Sequence, residues 1–210
     1  MATSPAPANV PVSGIHDPDL NRTLPALYRT AALAASATDP EAALREMLDI
    51  FVATFQADAG SIALLSPDTG RLETAFQVGT SLDHEQHGLK LGHGVTGWCV
   101  LNRRSLLVPD VAHEPRYIAV RSSARCEMAA PMQDDETVLG VIDLESDRVG
   151  GFTASDLAAL ELLAAEAARV MQRLWVQRHL QGKARQLESL ITAGQSLVTK
   201  LDQQELFDTL

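Results

Sequence analysis

The side chains able to do covalent or metal chemistry are few, and their spacing argues against most of it. Cys99 and Cys126 are the only cysteines. Two cysteines do not make a disulfide scaffold, and free buried thiols in a reducing cytosol are the expectation. His84, His87 and His93 fall close together, with Cys99 shortly after. The residue types suit zinc, but a His-x2-His pair in a polar loop with no Cys-x2-Cys beside it lacks structural-zinc spacing. These histidines read as solvated loop residues, so no metal is assigned. Arg103-Arg104 is the only adjacent basic pair, and the formal net charge is -10. Nucleic acid and anionic membranes are therefore excluded as main partners, because phosphate contacts need clustered Lys and Arg.

The remaining polar candidates are Asp110, Arg121, Glu127 and Asp143, with Trp98 and Tyr117 as flat faces carrying polar tips. Arg121 offers a planar fork for a carboxylate or phosphate. Each also has a bland reading. Trp98 can be core, Asp110 can cap the turn after Pro109, and Arg121 can pair with Glu127.

The elements that must position these residues follow from periodicity. An Ala-rich helix runs from Leu24 to Ala35. Asp39-Pro40-Glu41 is a helix start, with Asp as N-cap and Pro in the first turn. Leu44, Met47, Leu48, Phe51, Val52 and Phe55 then share one helical face. Gly60 to Leu65 and Leu72 to Val78 make a hairpin around Pro67-Asp-Thr-Gly70. Residues 79–92 read as a loop, and Gly94 to Asn102 as a short helix whose Gly97 lets it approach the sheet closely. A strand over Ser105 to Val108 and an irregular segment over His113 to Tyr117 precede a second strand pair, Cys126 to Met132 and Thr137 to Ser146.

Thr153-Ala-Ser-Asp156 opens the longest helix. Its apolar stripe runs from Leu157 through Leu160, Leu163, Ala164, Ala167, Val170 and Met171 to Leu174. Leu180, Ala184, Leu187 and Ile191 continue it as a coiled-coil seam. Leu174 to Leu180 is one residue short of a heptad, which implies a stammer in a continuous helix or a break near Gly182.

Gly92-His-Gly-Val-Thr-Gly97-Trp-Cys, Leu106-Leu-Val-Pro-Asp110-Val, Glu114-Pro-Arg-Tyr117, Arg125-Cys-Glu127-Met-Ala-Ala-Pro131 and Val138-Leu-Gly-Val-Ile-Asp143-Leu-Glu-Ser occur in this order. With a hairpin before and a long helix after, they resemble the GAF domain, a small-molecule-sensing and dimerising module of signalling proteins. The resemblance covers roughly Pro40 to Leu174. It implies an α+β fold related to profilin and PAS domains, with a central antiparallel sheet of about six strands. Helices would cover one face, and a pocket would lie under loops on the other. The candidate lining is His93 at the rim with Trp98, Asp110, Tyr117, Arg121, Glu127 and Asp143.

What the resemblance implies about chemistry is negative in several respects. One GAF subfamily reduces free methionine sulfoxide, with cysteines at positions occupied here by Thr96 and Val120; its carboxylates have counterparts in Glu127 and Asp143. The thiolate is the nucleophile in such chemistry, and it is missing at both positions. Bilin-binding relatives attach the chromophore to a cysteine often followed by His, whereas Cys99 precedes Val100 and Cys126 precedes Glu127. The Asn-Lys series of cyclic-nucleotide binders is not followed at Asn102-Arg103. The cofactor is therefore unknown, and no catalytic residue is assigned.

The expected organisation is a disordered Ala/Pro/Ser leader over 1–23, a GAF domain over 24–174, a helical linker over 175–191, and the start of a second GAF-like domain over 192–210. The last assignment rests on Thr30-Ala31, Leu44 and Leu48 reappearing at equal spacing as Thr192-Ala193, Leu206 and Leu210. No stretch approaches the ~20 apolar residues of a membrane span, so a cytoplasmic protein is expected. The expected function is a non-catalytic sensor, homodimeric through its terminal helices, that binds a small molecule and relays a signal through its last helix. A purely structural dimerisation module and a sulfoxide-reductase-like enzyme are the alternatives.

Overall fold

The computed structural model describes residues 18–37, 39–79 and 90–208, with side chains described over 21–37, 39–79 and 90–192. Residues 1–17 of the expected leader, His84, His87, and the side chains beyond residue 192 lie outside this range.

Four helices and five strands follow one another as α1 (Pro18–Ser36), α2 (Pro40–Phe55), β1 (Ala59–Leu65), β2 (Leu72–Val78), α3 (Gly94–Asn102), β3 (Leu106–Val108), a 3-10 turn (Val111–His113), β4 (Cys126–Gln133), β5 (Val138–Ser146) and α4 (Ala154–Asp208). The strands form one antiparallel sheet in the order β2-β1-β5-β4-β3. The α+β class is as expected, with five strands rather than about six among the described residues.

Both faces of β4 and β5 are covered, and the alternation of side chains decides what each face holds. Cys126, Met128, Ala130, Met132, Ile142 and Leu144 join the main core with Met47, Leu48 and Phe51 of α2 and Leu160 and Leu163 of α4. Ala129 and Val141 point the other way, to a smaller core with Val95, Cys99 and Val100 of α3 and Val108 and Val111. Phe51, Met128, Ile142 and Leu160 are fully buried. At 1.5–3 kcal/mol for a buried large apolar side chain, roughly, this face dominates the stability.

α1 begins at Pro18 and carries Pro25 inside it, although Pro25 reads in the sequence as a first-turn residue. Tertiary packing overrides that signal. Ala26, Thr30 and Leu33 are buried, Thr30 Oγ1 donates to the Ala26 carbonyl, and Arg22 pairs with Asp156 at the start of α4. Asp156 also closes a capping box, accepting from Thr153 N at 2.7 Å while its own N–H donates to Thr153 Oγ1 at 3.2 Å. Much of the apolar surplus of the terminal helices is thus buried within one chain, where α1 packs on α4.

Asp39 caps α2, its Oδ2 accepting from Ala42 N at 3.2 Å. Asp39→Ala is expected to cost about 1 kcal/mol, read as a lower urea midpoint with unchanged slope. An unchanged midpoint would show that the cap is satisfied by water. Gly97 does make a close approach, but to the chain entering α3 rather than to the sheet. A Cβ there would stand 2.4 Å from the Lys90 carbonyl oxygen, and the Gly97 carbonyl accepts from Gly92 N at 2.9 Å. α4 runs unbroken through Gly182, so no helix break accounts for the six-residue spacing from Leu174 to Leu180.

Candidate functional site

The antiparallel register of β4 and β5 sets Glu127 opposite Glu145 and Ala129 opposite Asp143. Glu127 shares its sheet face with Ala129, and Asp143 and Glu145 share theirs with Val141, so all three acids lie on the α3 side of the two central strands. They are 5%, 9% and 7% exposed. Like charges directly opposed in a sheet are destabilising, and burial compounds the cost. Such a cluster persists only if something compensates it.

Part of the compensation is Arg121, from the segment leading into β4. Its Nε donates to Glu145 Oε2 at 2.9 Å, Nη1 donates to Ser123 Oγ at 2.9 Å, and Nη2 lies 2.6 Å from Asp147 Oδ1. The Nη2 contact is a charge pairing without hydrogen-bond alignment. Burial works against the Arg121 charge, but Glu145 and Asp147 outweigh it and raise its pKa above the usual guanidinium value.

Glu127 and Asp143 have no such partner. Glu127 Oε2 and Asp143 Oδ1 are fully buried, and no N–H or O–H of any other residue donates to them. Burial, followed by the Asp143 charge, pushes the Glu127 carboxyl well above the ordinary range. Burial and Glu145 push Asp143 up to about 7, against a hydrogen bond from Glu127 that favours its charged form. A hydrogen bond shared between the two carboxyls accounts for both directions.

Tyr117 lies beside the acids. Its hydroxyl donates to the Arg121 carbonyl at 3.4 Å, and burial, with Glu145, Glu127 and Asp143, pushes its pKa up to about 12. Trp98 and Tyr117 both pack at the edge of the smaller core. The Trp98 ring carries the Arg116 guanidinium 4.8 Å above it, and Arg116 is held by Glu114 through bonds of 2.6 and 3.0 Å.

Of the seven candidate residues, the fold brings together Arg121, Glu127, Asp143 and Tyr117, with Trp98 packed against the same smaller core as Tyr117. His93 is the exposed N-cap of α3 and makes no side-chain capping bond. Asp110 caps the 3-10 turn, accepting from Ala112 N at 3.0 Å and lying 2.9 Å from His113 Nδ1. The bland sequence reading of Asp110 therefore describes what it does. Arg121 pairs with Glu145 and Asp147 rather than Glu127. Sequence reasoning omitted Glu145, whose signal was available: Asp143-Leu-Glu145 in a strand places two acids on one face.

Both thiols are free and buried. Cys99 is fully buried with Sγ 3.7 Å from the Ala129 carbonyl oxygen. Burial, then Glu127 and Asp143, raises its pKa far above that of a free thiol. Cys126 faces the opposite core, and burial raises its pKa as well. Arg103 ends α3 in the left-handed region and binds Gln133 and the Asp134 and Glu136 carbonyls. It is a structural clamp on the β4–β5 hairpin. Among the described residues no three His, Cys, Asp or Glu side chains are arranged to hold a metal ion, and no helix is long and apolar enough to cross a membrane.

The GAF domain family profile matches residues 37–172. GAF domain-containing protein A of Dictyostelium discoideum is 27% identical over 123 residues, 58% of this chain and 70% of that protein. The free methionine-R-sulfoxide reductase of Escherichia coli is 26% identical over 155 residues, 73% of this chain and 87% of that one. The Nif-specific regulatory protein of Herbaspirillum seropedicae is 25% identical over 136 residues, but the match spans only 25% of its length. Among solved structures, the GAF domain of a Coxiella burnetii phosphoenolpyruvate-protein phosphotransferase superposes with a TM-score of 0.68 at 17% identity, covering 76% of this chain and 98% of that one. A Neisseria meningitidis free methionine-R-sulfoxide reductase in complex with its substrate gives 0.67 at 22% identity, covering 74% and 91%. With the profile matched over more than half of its length and the sheet and helices of these structures reproduced, the chain belongs to the GAF domain family.

Proposed function

We propose that this GAF domain is a non-catalytic sensor that takes a small organic cation at Glu127, Asp143 and Glu145 and relays occupancy through α4. The observation that carries the reading is the pair of buried carboxyl oxygens, Glu127 Oε2 and Asp143 Oδ1, which no N–H or O–H of another residue reaches. A buried acceptor without a donor costs roughly 1–3 kcal/mol, and a ligand ammonium or guanidinium supplies the missing N–H groups and the charge together. The E. coli relative is named for reducing free methionine sulfoxide, an amino acid whose ammonium belongs to this chemical class.

The relay follows from β4 having two working faces. Glu127 faces the acids while its neighbours Cys126 and Met128 sit in the core with Leu160 and Leu163 of α4. A ligand favouring one arrangement of β4 biases α4 by its differential affinity and no more. Beyond Leu174, the α4 side chains through residue 192 are largely exposed, with Val176, Leu180, Leu187, Leu190 and Ile191 at 59–62%. We take this stripe to be a homodimer seam that leads to a further module, consistent with a signalling role.

The reductase reading shares Glu127 and Asp143 but needs a thiolate, and both thiols are buried with raised pKa. A thermal-shift panel of free amino acids and alkyl amines tests the sensor reading on the wild type and on a Cys99→Ser/Cys126→Ser variant. Cationic members should raise the melting temperature, with about 2.7 kcal/mol of stabilisation at a hundredfold excess over Kd. The variant should show the same ligand-induced shifts. A panel with no shift overturns the cation site, and methionine sulfoxide turnover abolished by the cysteine changes establishes the reductase.

A further inference from the structure

The acids on the α3 side present a charge problem that the protein's own groups must solve, and the solution constrains how a ligand enters. We infer that Glu127 and Asp143 share one proton in the ligand-free protein and that a cationic ligand binds by replacing it, so that entry of a monocation releases a proton to solvent. This rests on the cation-sensor reading above and adds its regulation by pH.

The geometry supplies the argument. Arg121 is committed to Glu145 and Asp147, so it neutralises the Glu145 end of the cluster. Glu127 and Asp143 remain, each with one fully buried oxygen lacking a donor. Two ionised carboxylates in this position would repel each other with no cation between them. A proton on Glu127 that bridges to Asp143 removes the repulsion and provides the missing donor. The directions already described for the two groups agree with this assignment.

The other charged or titratable groups near the pair do not take over the role. Tyr117 and the Cys99 thiol are neutral at pH 7, with pKa values raised partly by these acids. Arg116 is held by Glu114, and Asp147 is on the far side of Arg121. When an ammonium arrives, its charge takes the place of the proton's and its N–H groups take the place of the bridging O–H. The net charge of the cluster is unchanged. No bond within the ligand forms or breaks; the O–H bond of Glu127 is lost and its proton passes to buffer.

The test is calorimetric titration of the whole chain with n-butylammonium chloride, at several pH values and in buffers of different ionisation enthalpy. The expected result is about one proton released per ligand bound. The affinity should rise by up to tenfold per pH unit while the pair still holds its proton, and level off once it is lost. Glu127→Gln keeps a donor toward Asp143 but has no proton to release, so its residual binding should be weak and independent of buffer. Carboxyl-carbon NMR of the ligand-free wild type gives an independent readout that does not depend on the variant folding. One carboxyl should remain protonated through neutral pH. Binding with no buffer dependence overturns the proton exchange while leaving the sensor reading standing. Absence of binding at every pH overturns both. Ligand-free carboxyls that all titrate in the ordinary range overturn the shared proton.

Discussion

Arg121→Met should lose roughly 3–5 kcal/mol of stability at pH 8, the cost of removing one member of a buried ion pair. The side chain is 14% exposed, with Nε 2.9 Å from Glu145 Oε2. Removing its charge leaves Glu145 facing Glu127 across the strand pair, with Asp143 on the same face and no cation for any of them. The sign of the pH dependence follows from linkage. Losing Arg121 raises the folded-state pKa of Glu127 and Asp143 further above their unfolded values. A carboxyl raised in the folded state stabilises fully below its unfolded pKa and loses that contribution as pH rises through the folded value. The gap between wild type and variant should therefore be smallest near pH 4 and widen through neutrality, past the value of about 7 to which Asp143 is already pushed. Urea unfolding at pH 5 and pH 8 reads this directly. A loss equal at both would mean that Arg121 acts through packing of its stem rather than through charge. Against a total stability of roughly 5–15 kcal/mol, the variant at pH 8 should be close to unfolding.

The elements were legible from sequence because their signals were local. Asp39-Pro40 marks the start of α2 through a cap that the structure contains. α3 falls on Gly94–Asn102 as its glycines and apolar residues indicate. The alternation around Asp143 and Glu127 places β4 and β5 to within about two residues. What was not legible depends on pairing between distant segments. Glu145 faces Glu127 only because of the β4–β5 register, and Arg121 meets Glu145 across 24 positions of sequence. α1 extends back to Pro18 and tolerates Pro25 because α4 covers it, which helix propensity alone cannot reveal. Asp110 and His93 looked equivalent to Glu127 as polar pocket candidates. The difference is that a turn N–H engages Asp110 and solvent surrounds His93, while Glu127 has a sheet beneath it and α3 above.

Under the proposed function, the two faces of β4 give sensing and output a shared element without a shared surface. The acids and α3 occupy one side; Met128, Met132, α2 and α4 occupy the other. A change confined to the acidic side can reach α4 only by moving the strand. The close packing around Phe51, Met128 and Leu160, all fully buried, favours discrete arrangements over continuous deformation. Under the proposed function, sensing consists of biasing strand position, with the proton on Glu127 and the ligand cation competing for the same bias.

Leu187→Glu combined with Ile191→Glu should convert the proposed dimer to a monomer without unfolding the domain. Both side chains are 61% exposed within the chain, one helical turn apart on α4. Both lie well past Leu174, the last α4 residue in the main core. Their burial against a second copy is worth roughly 1.5–3 kcal/mol per side chain. Four such side chains per dimer give at least about 6 kcal/mol, or about four decades in Kd at ~1.4 kcal/mol per decade. Sedimentation at micromolar concentration should show a wild-type dimer and a variant monomer. Because the substituted residues touch neither the core nor the acids, the thermal midpoint extrapolated to low concentration and the capacity to bind n-butylammonium should survive. A variant that stays dimeric would place the interface on α1 or on the domain itself. A wild type that sediments as a monomer would remove the seam from the relay and leave α4 to couple to whatever follows it in the same chain. If dimerisation and ligand binding are linked through α4, the variant should bind n-butylammonium with an altered affinity. By reciprocity, ligand should then shift the wild-type dimer constant by the same factor. Equal affinities in monomer and dimer would place the output of this domain somewhere other than the seam.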